Sequence, residues 1–340
     1  MTQPTNDKPT PLLALRALLG GTLMGLANLV PGISGGTMLL AAGVYPKFIN
    51  AIGELTTLKF RKASLLVLGC VVAAAFAAIV LLAEPVKDLV IHHRWVMYSL
   101  FIGLTLGGVP VVWRLIGEPT KPMWVATALG FLGMTALAVA QMLGPGDATN
   151  EGFAFMLLAG LAGAAAMILP GVSGGYLLLV LGVYVPILAA IAAFKDALKA
   201  TDTDAILSIG TAVILPVGLG VILGIAGVSN LLKLLLAKFP KPTLGVLLGL
   251  LLGAVVGLYP FQQGVAPTPG DTFKSQTVTL DAEQNLILEE TGKPIDPEDY
   301  PTQTFTPTPL QIAASLGLIL AGFLLTLGID TLGKDRKAKR

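Results

Sequence analysis

One six-residue motif that occurs twice carries most of the chemistry that this sequence can offer. Residues 31–36 read P-G-I-S-G-G, and residues 170–175 read P-G-V-S-G-G. Proline ends a preceding helix, and glycines let the backbone turn and let a ligand approach it closely. A helix that begins here has unpaired N–H groups and the positive end of its dipole, and the serine adds a hydroxyl donor. The motif therefore predicts an anion site for a phosphate or a carboxylate.

Two such helix ends, one from each copy, could hold one phosphate between them. The residues predicted to contact it are Gly32, Ser34, Gly35, Gly36, Thr37, Gly171, Ser173, Gly174, Gly175 and Tyr176. The residues predicted to support or gate the site are Asn28, Tyr45, Tyr184 and Arg94. Asn28 lies one turn before the first motif and is either a buried hydrogen-bonding residue or a helix-end cap. Arg94 follows two histidines near a predicted helix end, where a lipid phosphate or an interfacial anchor would lie.

The glycines of the motif also fit a purely structural role. Gly32 and Gly36 form a G-x-x-x-G pair, and so do Gly171 and Gly175. Such pairs let membrane helices pack closely, and the chain has others where we predict no site. The preceding proline and the serine favour the anion site, because packing requires neither.

The sequence lacks the side chains of common catalytic and metal sites. It has one cysteine, Cys70, and two histidines, which are adjacent at His92 and His93. Acids are nearly absent from the apolar runs, so neither an activated nucleophile nor a carboxylate-held metal has candidates there. The formal net charge is +2, with no basic stripe for nucleic acid. We therefore predict a protein that is not an enzyme, with no catalytic residue, metal, cofactor or nucleic-acid partner.

The elements that position the motifs are predicted to be membrane helices. Apolar residues make up 54% of the 340 residues and charged residues 12%, too few to cover a soluble chain of this length. Most of the apolar stretches approach the roughly 20 residues that span a bilayer, and none alternates like a barrel strand. The fold class is thus an all-α polytopic membrane protein with about ten membrane-embedded helical elements. These are 12–30, 34–55, 64–82, 96–113, 123–143, 153–169, 172–194, 206–229, 243–259 and 310–329.

Charge patterning predicts how these elements are oriented. Lysines and arginines cluster at 59–62, at 233–241 and at 334–340, which places these regions and both termini in the cytoplasm. Arg16 and Arg114 lie near predicted helix ends and are expected to extend to the interface. The predicted divisions are a cytoplasmic tail 1–11, a first membrane repeat 12–143, a second membrane repeat 153–329 and a basic cytoplasmic tail 330–340. An acidic, Thr- and Pro-rich extracytoplasmic loop, 262–309, interrupts the second repeat, and its 284–293 stretch suits a small hairpin.

The two motifs belong to an internal duplication. Residues 31–45 and 170–184 are identical at ten of fifteen positions, ending in G-V-Y in both copies. Ten elements then divide into two repeats of five, and because five is odd, the second repeat is inverted in the membrane. Secondary transporters often have this build, with the substrate site at the repeat interface. Each motif either breaks a full crossing or forms the tip of a re-entrant hairpin, which we favour because a helix break in lipid needs cover.

The duplicated P-G-[IV]-S-G-G followed by G-V-Y resembles the PopT-type polyprenyl-phosphate transporters, long catalogued as a domain of unknown function. The resemblance covers roughly residues 16–257. It implies a bacterial or archaeal cytoplasmic-membrane transporter, a flippase that returns undecaprenyl phosphate for reuse in envelope biogenesis. The chain departs from the family pattern at Asn28, where the family has an aspartate, and at Pro46 and Val185, where an acid is common.

The resemblance implies a polyprenyl-phosphate lipid as the partner, within a surround of membrane lipids. The tail of such a lipid can stay in the bilayer while only the phosphate head crosses. The sequence leaves open whether H+ or Na+ drives transport, and it leaves the oligomeric state open. A transporter or channel for a small anion is the alternative, since it would share the duplicated motif and the helix-end site.

Overall fold

The structure, a computed structural model, describes residues 10–29, 33–142, 152–273, 276–281, 284–290, 292, 294–295 and 300–332. Within this part of the chain, seven helices are long and apolar enough to cross a membrane. The chain is therefore a multi-pass membrane protein whose membrane part is helical. Most of both predicted tails and the 143–151 connection lie outside the described residues.

The first half of the chain contains six helices. They are α1 (Pro11–Asn28), α2 (Gly35–Ala41), α3 (Tyr45–Thr56), α4 (Lys62–His92), α5 (Arg94–Ile116) and α6 (Lys121–Met142). Thr10 caps α1, because its hydroxyl accepts a hydrogen bond from the backbone N–H of Leu13. Connections of one to five residues join α3 to α4, α4 to α5 and α5 to α6, so successive long helices reverse direction.

The second half repeats this order with additions. Its helices are α7 (Phe153–Ile168), α8 (Gly174–Val180), α9 (Tyr184–Ala200), α10 (Thr203–Ile209), α11 (Leu215–Lys238), α12 (Pro240–Gly257) and α13 (Pro309–Leu332). A π-helical turn, Gly210–Ile214, joins α10 and α11 into one continuous rod. The short α2 and α8 begin at matching residues of the two motifs, and α3 and α9 begin at the matching tyrosines.

Two predicted elements are each divided into two helices. The stretch 34–55 contains α2 and α3, and 172–194 contains α8 and α9, so the prediction of one element in each place was wrong. The break falls at Gly43 (φ +66°) in the first half and at Gly182 (φ +73°) in the second. Glycine adopts this left-handed backbone without the steric cost that a side chain brings. The sequence signal was missed because both glycines sit inside uninterrupted apolar runs.

Four parallel helix pairs form the membrane bundle: α1 with α4, α7 with α11, α5 with α13 and α12 with α6. In each pair, glycines of one helix lie against backbone carbonyls of the other, so no side chain separates the two backbones. The contacts advance in the same direction along both helices of a pair. Examples are Gly21 with Val71 and Gly25 with Ala75, Gly220 with Leu157 and Gly224 with Leu161, Gly245 with Met123 and Gly249 with Thr127, and Gly103 with Ile319; further along this last pair, Gly107 lies against the Thr326 side chain.

A small β-structured insert joins α12 to α13. Its strands are β1 (Gln262–Gly264), β2 (Thr272–Phe273), β3 (Gln276–Leu280), β4 (Leu286–Leu288) and β5 (Thr302–Thr304). β1 pairs antiparallel with β5 as a neck, and β2, β3 and β4 form an antiparallel sheet. The hairpin predicted at 284–293 is displaced, because β3 and β4 form it across 276–288. Near its base, the Thr268 backbone N–H and hydroxyl donate to Asp271, which lowers the pKa of that carboxyl below its usual range.

Candidate functional site

The two motifs start the short helices α2 and α8 in the interior of the protein. Ser34 is the N-terminal cap residue of α2, and Gly35, Gly36 and Thr37 are all buried. Gly174 and Gly175 open α8 in the same way. Gly32 lies outside the described residues. Tyr176 lies in α8, with its side chain outside the described part.

Side chains of the first motif bind the backbone that leads into the second motif. The Ser34 hydroxyl donates to the Leu169 carbonyl oxygen at 3.0 Å. The Tyr45 hydroxyl donates to the Ile168 carbonyl oxygen at 2.9 Å. These carbonyls lie at the end of α7, where the helix itself supplies no further donor, and the Leu169 carbonyl also accepts from the Val172 backbone N–H at 3.4 Å. The first half of the chain therefore caps a helix of the second half.

In a third hydrogen bond the second motif supplies the donor. The Gly171 backbone N–H donates to the Thr37 hydroxyl oxygen at 2.7 Å, in a buried position. Three hydrogen bonds thus join residues more than 120 positions apart in the chain. The two motifs, predicted to face one another across a phosphate, are in direct contact through Ser34 and Thr37.

Two motif glycines allow this contact by having no side chain. A Cβ on Gly36 would lie 2.9 Å from the Ile168 carbonyl oxygen. Gly171 has φ +89°, and a Cβ there would fall on the backbone of α12 at Leu250. Close packing, which the sequence left open as the alternative role of these glycines, is what Gly36 and Gly171 do in this structure.

The second motif keeps an unpartnered hydroxyl. Ser173 is only 7% exposed, and its hydroxyl forms none of the hydrogen bonds seen among the described residues, although the fully buried hydroxyls without a partner there are those of Thr135 and Ser229. It precedes the first turn of α8, whose N–H groups also lack carbonyl partners within the helix. A hydroxyl that no described residue binds, next to the first N–H groups of a helix, is suited to a polar ligand. Of the motif hydroxyls with described side chains, Ser173 is the one that a phosphate could reach without breaking an existing bond.

The predicted supporting residues lie in different surroundings. Asn28 is the last residue of α1 and is exposed, so its interpretation as a buried residue was wrong; its Oδ1 lies beside Gly35. Tyr45 is buried in the contact described above, whereas Tyr184 is half-buried at the start of α9. Arg94 begins α5, and its guanidinium lies 5.6 Å from the centroid of the Tyr98 ring.

Arg16 has a role that the sequence did not indicate. It was expected to extend to the membrane interface, but its Nε donates to the Ala42 carbonyl oxygen at 3.2 Å. Ala42 is the C-terminal cap residue of α2, so this carbonyl has no partner in a following turn. Arg16 therefore stabilises the backbone at the break between α2 and α3. Residue 155 occupies the matching position in the second half and is a phenylalanine.

The part of the sequence that contains both motifs matches a known family model. Residues 24–272 match the VCA0040-like family, described as undecaprenyl phosphate translocase-like. The chain belongs to this family. The match includes both motifs and ends within the β-structured insert.

Two curated relatives extend the comparison for this translocase-like chain. A polyprenyl-phosphate transporter of Vibrio cholerae serotype O1 is 29% identical over 332 residues, which is 93% of this chain and 96% of the relative. A polyprenyl-phosphate transporter of Staphylococcus aureus is 29% identical over 140 residues, 41% of this chain and 47% of the relative. No solved structure gives a significant match.

The family is one of transporters, so this member of the translocase-like family is not an enzyme. In the described part of the chain, no group of three or more His, Cys, Asp or Glu side chains could hold a metal ion. What the site offers chemically is a buried hydroxyl, backbone N–H groups and tightly packed glycines. Such groups can bind an anion reversibly without cleaving it.

Proposed function

We propose that this protein moves undecaprenyl phosphate or a related polyprenyl phosphate across the cytoplasmic membrane, so that the lipid carrier is reused in envelope synthesis. The family description and both curated relatives support this substrate class. The observation that carries the mechanism is the direct contact between the two motifs at the junction of the two halves.

The membrane part is proposed to consist of two inverted repeats, 12–143 and 153–329, with both termini in the cytoplasm. Matching glycines make matching contacts: Gly21 lies on Val71 in the first half, and Gly160, 139 positions later, lies on Val217. The two halves also pack on each other reciprocally. Helix α5 of the first half packs on α13 of the second, and α12 of the second half packs on α6 of the first. A two-fold relation between the halves predicts these reciprocal contacts.

Helix directions support the inversion. Short connections reverse α4 into α5, α5 into α6, and α11 into α12. Because α12 is parallel to α6, it is also parallel to α4, and α11 is therefore antiparallel to α4. The pair α1–α4 of the first half then runs opposite to the pair α7–α11 of the second. On this proposal the 262–309 segment is extracytoplasmic, and each motif is a re-entrant turn that its partner motif covers.

The phosphate is proposed to bind at the second motif, against Ser173 and the first N–H groups of α8. An unpaired ion in a low-dielectric interior costs many kcal/mol, so the protein must replace the water around the head group. Ser34, Thr37 and Tyr45 have a separate task, because their hydrogen bonds hold the backbone before Ser173 in position. Gly174 and Gly175 let the phosphate approach this backbone closely.

Burial differs between matching positions, which supports a change of access. Ile49 of α3 is 2% exposed, whereas Leu188, the matching residue of α9, is 48% exposed. Helix α3 packs against α11, and Asn230 of α11 donates a hydrogen bond to the Thr56 hydroxyl. We propose that the opposite-facing state exchanges these environments: α3 leaves α11, and α9 packs on α4. The motifs would then open to the other leaflet.

Binding of undecaprenyl phosphate to Ser173→Ala tests this assignment. The variant removes one donor to a charged group and should bind the lipid about tenfold more weakly or worse. Native mass spectrometry of protein in nanodiscs would measure it. Ser229→Ala is the matched control, because Ser229 is buried as Ser173 is and its hydroxyl has no partner among the described residues. Equal binding by both variants would remove Ser173 from the site, and anion uptake that undecaprenyl phosphate does not inhibit would favour a small-anion transporter.

A further inference from the structure

We propose that Arg94 and a groove on the same face of α5 form a loading site for the polyprenyl phosphate. The phosphate lies at Arg94, and the first isoprene units lie in the groove. This inference rests on the proposed function and adds a second binding station, distinct from the motifs.

The groove lies where α12 ends and α13 begins. It has a volume of about 470 Å³, within the usual range of small-molecule sites. Ile102 of α5 forms part of its lining, Val256 of α12 another part, and Ile312 and Leu316 of α13 the opposite side. Tyr259 and Phe261 complete it where the helical bundle meets the β-structured insert. Every wall is therefore a membrane helix or an aromatic side chain of the type found at membrane interfaces.

Two hydroxyls belong to lining residues, those of Ser315 and Tyr259, and the Ser315 hydroxyl is already satisfied. The Ser315 hydroxyl is 2.7 Å from the Ser99 hydroxyl, and Ser99 in turn donates to the Trp95 carbonyl oxygen at 2.6 Å. A ligand in the groove therefore gains mainly apolar contact, and the other hydroxyl, that of Tyr259, belongs to a residue that is 42% exposed. This suits a hydrocarbon chain better than a head group.

A cation lies at the end of the same face of α5. Arg94, Tyr98 and Ile102 are spaced four residues apart, so they share one face and span about 12 Å. The Arg94 guanidinium contacts the Tyr98 ring and forms no ion pair with an acid in the described part of the chain. An anionic head with an apolar tail complements this order of cation, aromatic ring and groove.

The loading site is continuous with the first motif. Ile102, Val255 and Ile319, which line the groove, pack in one cluster with Ile33 and Met38. Ile33 directly precedes Ser34, and Met38 lies in α2. This cluster therefore connects the groove to the first motif, which is hydrogen-bonded to the second motif, where the phosphate is proposed to bind.

The groove also accounts for selectivity. A phosphate alone does not distinguish a polyprenyl phosphate from phosphatidic acid, because both present a phosphomonoester. The distinguishing atoms are the methyl-branched, single-chain units next to the phosphate. A narrow apolar groove close to the cation accepts one such chain, whereas a diacyl glycerol backbone is wider. Discrimination by shape needs contact with these first units and not with the whole tail.

Filling the groove tests the proposal. Leu316→Trp places a bulky ring in the groove. Leu316 is 62% exposed, so the change should not disturb the core. Leu320→Trp is the matched control, one turn along the same helix, 56% exposed and not in the groove lining. Native mass spectrometry would compare undecaprenyl phosphate with phosphatidic acid. We expect Leu316→Trp to lower the preference for undecaprenyl phosphate about tenfold and Leu320→Trp to leave it unchanged.

The outcomes separate this site from the proposed function. Wild-type preference retained by Leu316→Trp would overturn the groove and leave the proposed function standing. Wild-type protein that does not bind undecaprenyl phosphate at all would contradict the proposed function itself. Arg94→Gln should weaken both lipids alike, because both carry the phosphate, and no weakening would remove Arg94 from the site. Should Leu316→Trp fail to fold, Ile312→Trp fills the groove from the preceding turn.

Discussion

The Tyr45 hydroxyl donates a hydrogen bond to the carbonyl oxygen of Ile168, 123 residues later in the chain, at 2.9 Å. Tyr45 begins α3 of the first half, and Ile168 ends α7 of the second. The last carbonyls of α7 are thus capped by side chains of the other half. Neither half can complete its own motif region alone.

Tyr45→Phe should destabilise the protein by about 1–3 kcal/mol, because it leaves a buried carbonyl without a donor while keeping the ring. Thermal unfolding in detergent would measure the change. Tyr259→Phe is the control, since Tyr259 is exposed and its hydroxyl has no partner in the described structure. Equal melting temperatures for the two variants would argue against a stabilising role for this bond.

Alanine should destabilise the protein at Gly36 of the first motif but not at the matching Gly175 of the second. Gly36→Ala places a Cβ against the Ile168 carbonyl oxygen and should cost about 1–3 kcal/mol through overpacking. At Gly175 the nearest described atom is Cε2 of Tyr184 at 3.6 Å, an ordinary contact, so Gly175→Ala should fold normally. Melting temperatures of the two variants measure the difference. A larger loss at Gly175 than at Gly36 would contradict the packing described for the first motif.

A reversible crosslink between α3 and α11 should stop transport. Thr56→Cys and Asn230→Cys in a Cys70→Ala background place two thiols where a 2.9 Å hydrogen bond now joins the helices. Oxidation should reduce polyprenyl-phosphate transport in proteoliposomes to background, and reduction should restore it, because α3 must leave α11 in the proposed cycle.

The control crosslink joins helices that are proposed to move together. Leu104→Cys and Thr326→Cys link α5 to α13 where the Thr326 hydroxyl donates to the Leu104 carbonyl oxygen at 3.2 Å, and neither residue lines the groove. Transport should continue after this pair is oxidised. Full transport by the oxidised α3–α11 pair would be incompatible with the exchange of packing between halves.

The β-structured insert should be dispensable for folding. β1 and β5 form a neck in which Gly264 pairs with Thr302, so a tight Asn-Gly turn can replace residues 266–300. The shortened protein should keep its melting temperature within a few degrees, as measured in detergent. A collapse of stability would show that the insert supports the helices beneath it.

The sequence was informative where chemistry and repetition coincide. The two P-G-x-S-G-G segments predicted both the duplication and the residues that meet at its centre, because identical residues at a fixed spacing stand out against an apolar background. The membrane-helix class followed from the shortage of charge, and the seven long apolar helices confirm it. Assignment of the phosphate contacts to Ser34, Ser173 and their neighbours stays a prediction.

Other contacts could not be predicted, because no local sequence pattern identifies the distant atoms that take part in them. Ser34 and Thr37 bind backbone atoms of the other motif, and any residue type has a carbonyl and, proline apart, an N–H to offer. Arg16 looked like an interfacial arginine because its partner, the Ala42 carbonyl, becomes available only when the chain breaks at Gly43. The groove beside α13 is formed by three helices that are far apart in sequence.

The glycine contacts within the helix pairs have a consequence for divergence. At Gly103 and Gly249, one main chain rests directly on another, so the fit depends on the absence of a side chain and not on the shape of one. The outward-facing leucines and valines contribute little to that fit. The lipid-facing residues can therefore change among relatives to suit the thickness and composition of each host's bilayer, while the distances between paired helices stay the same.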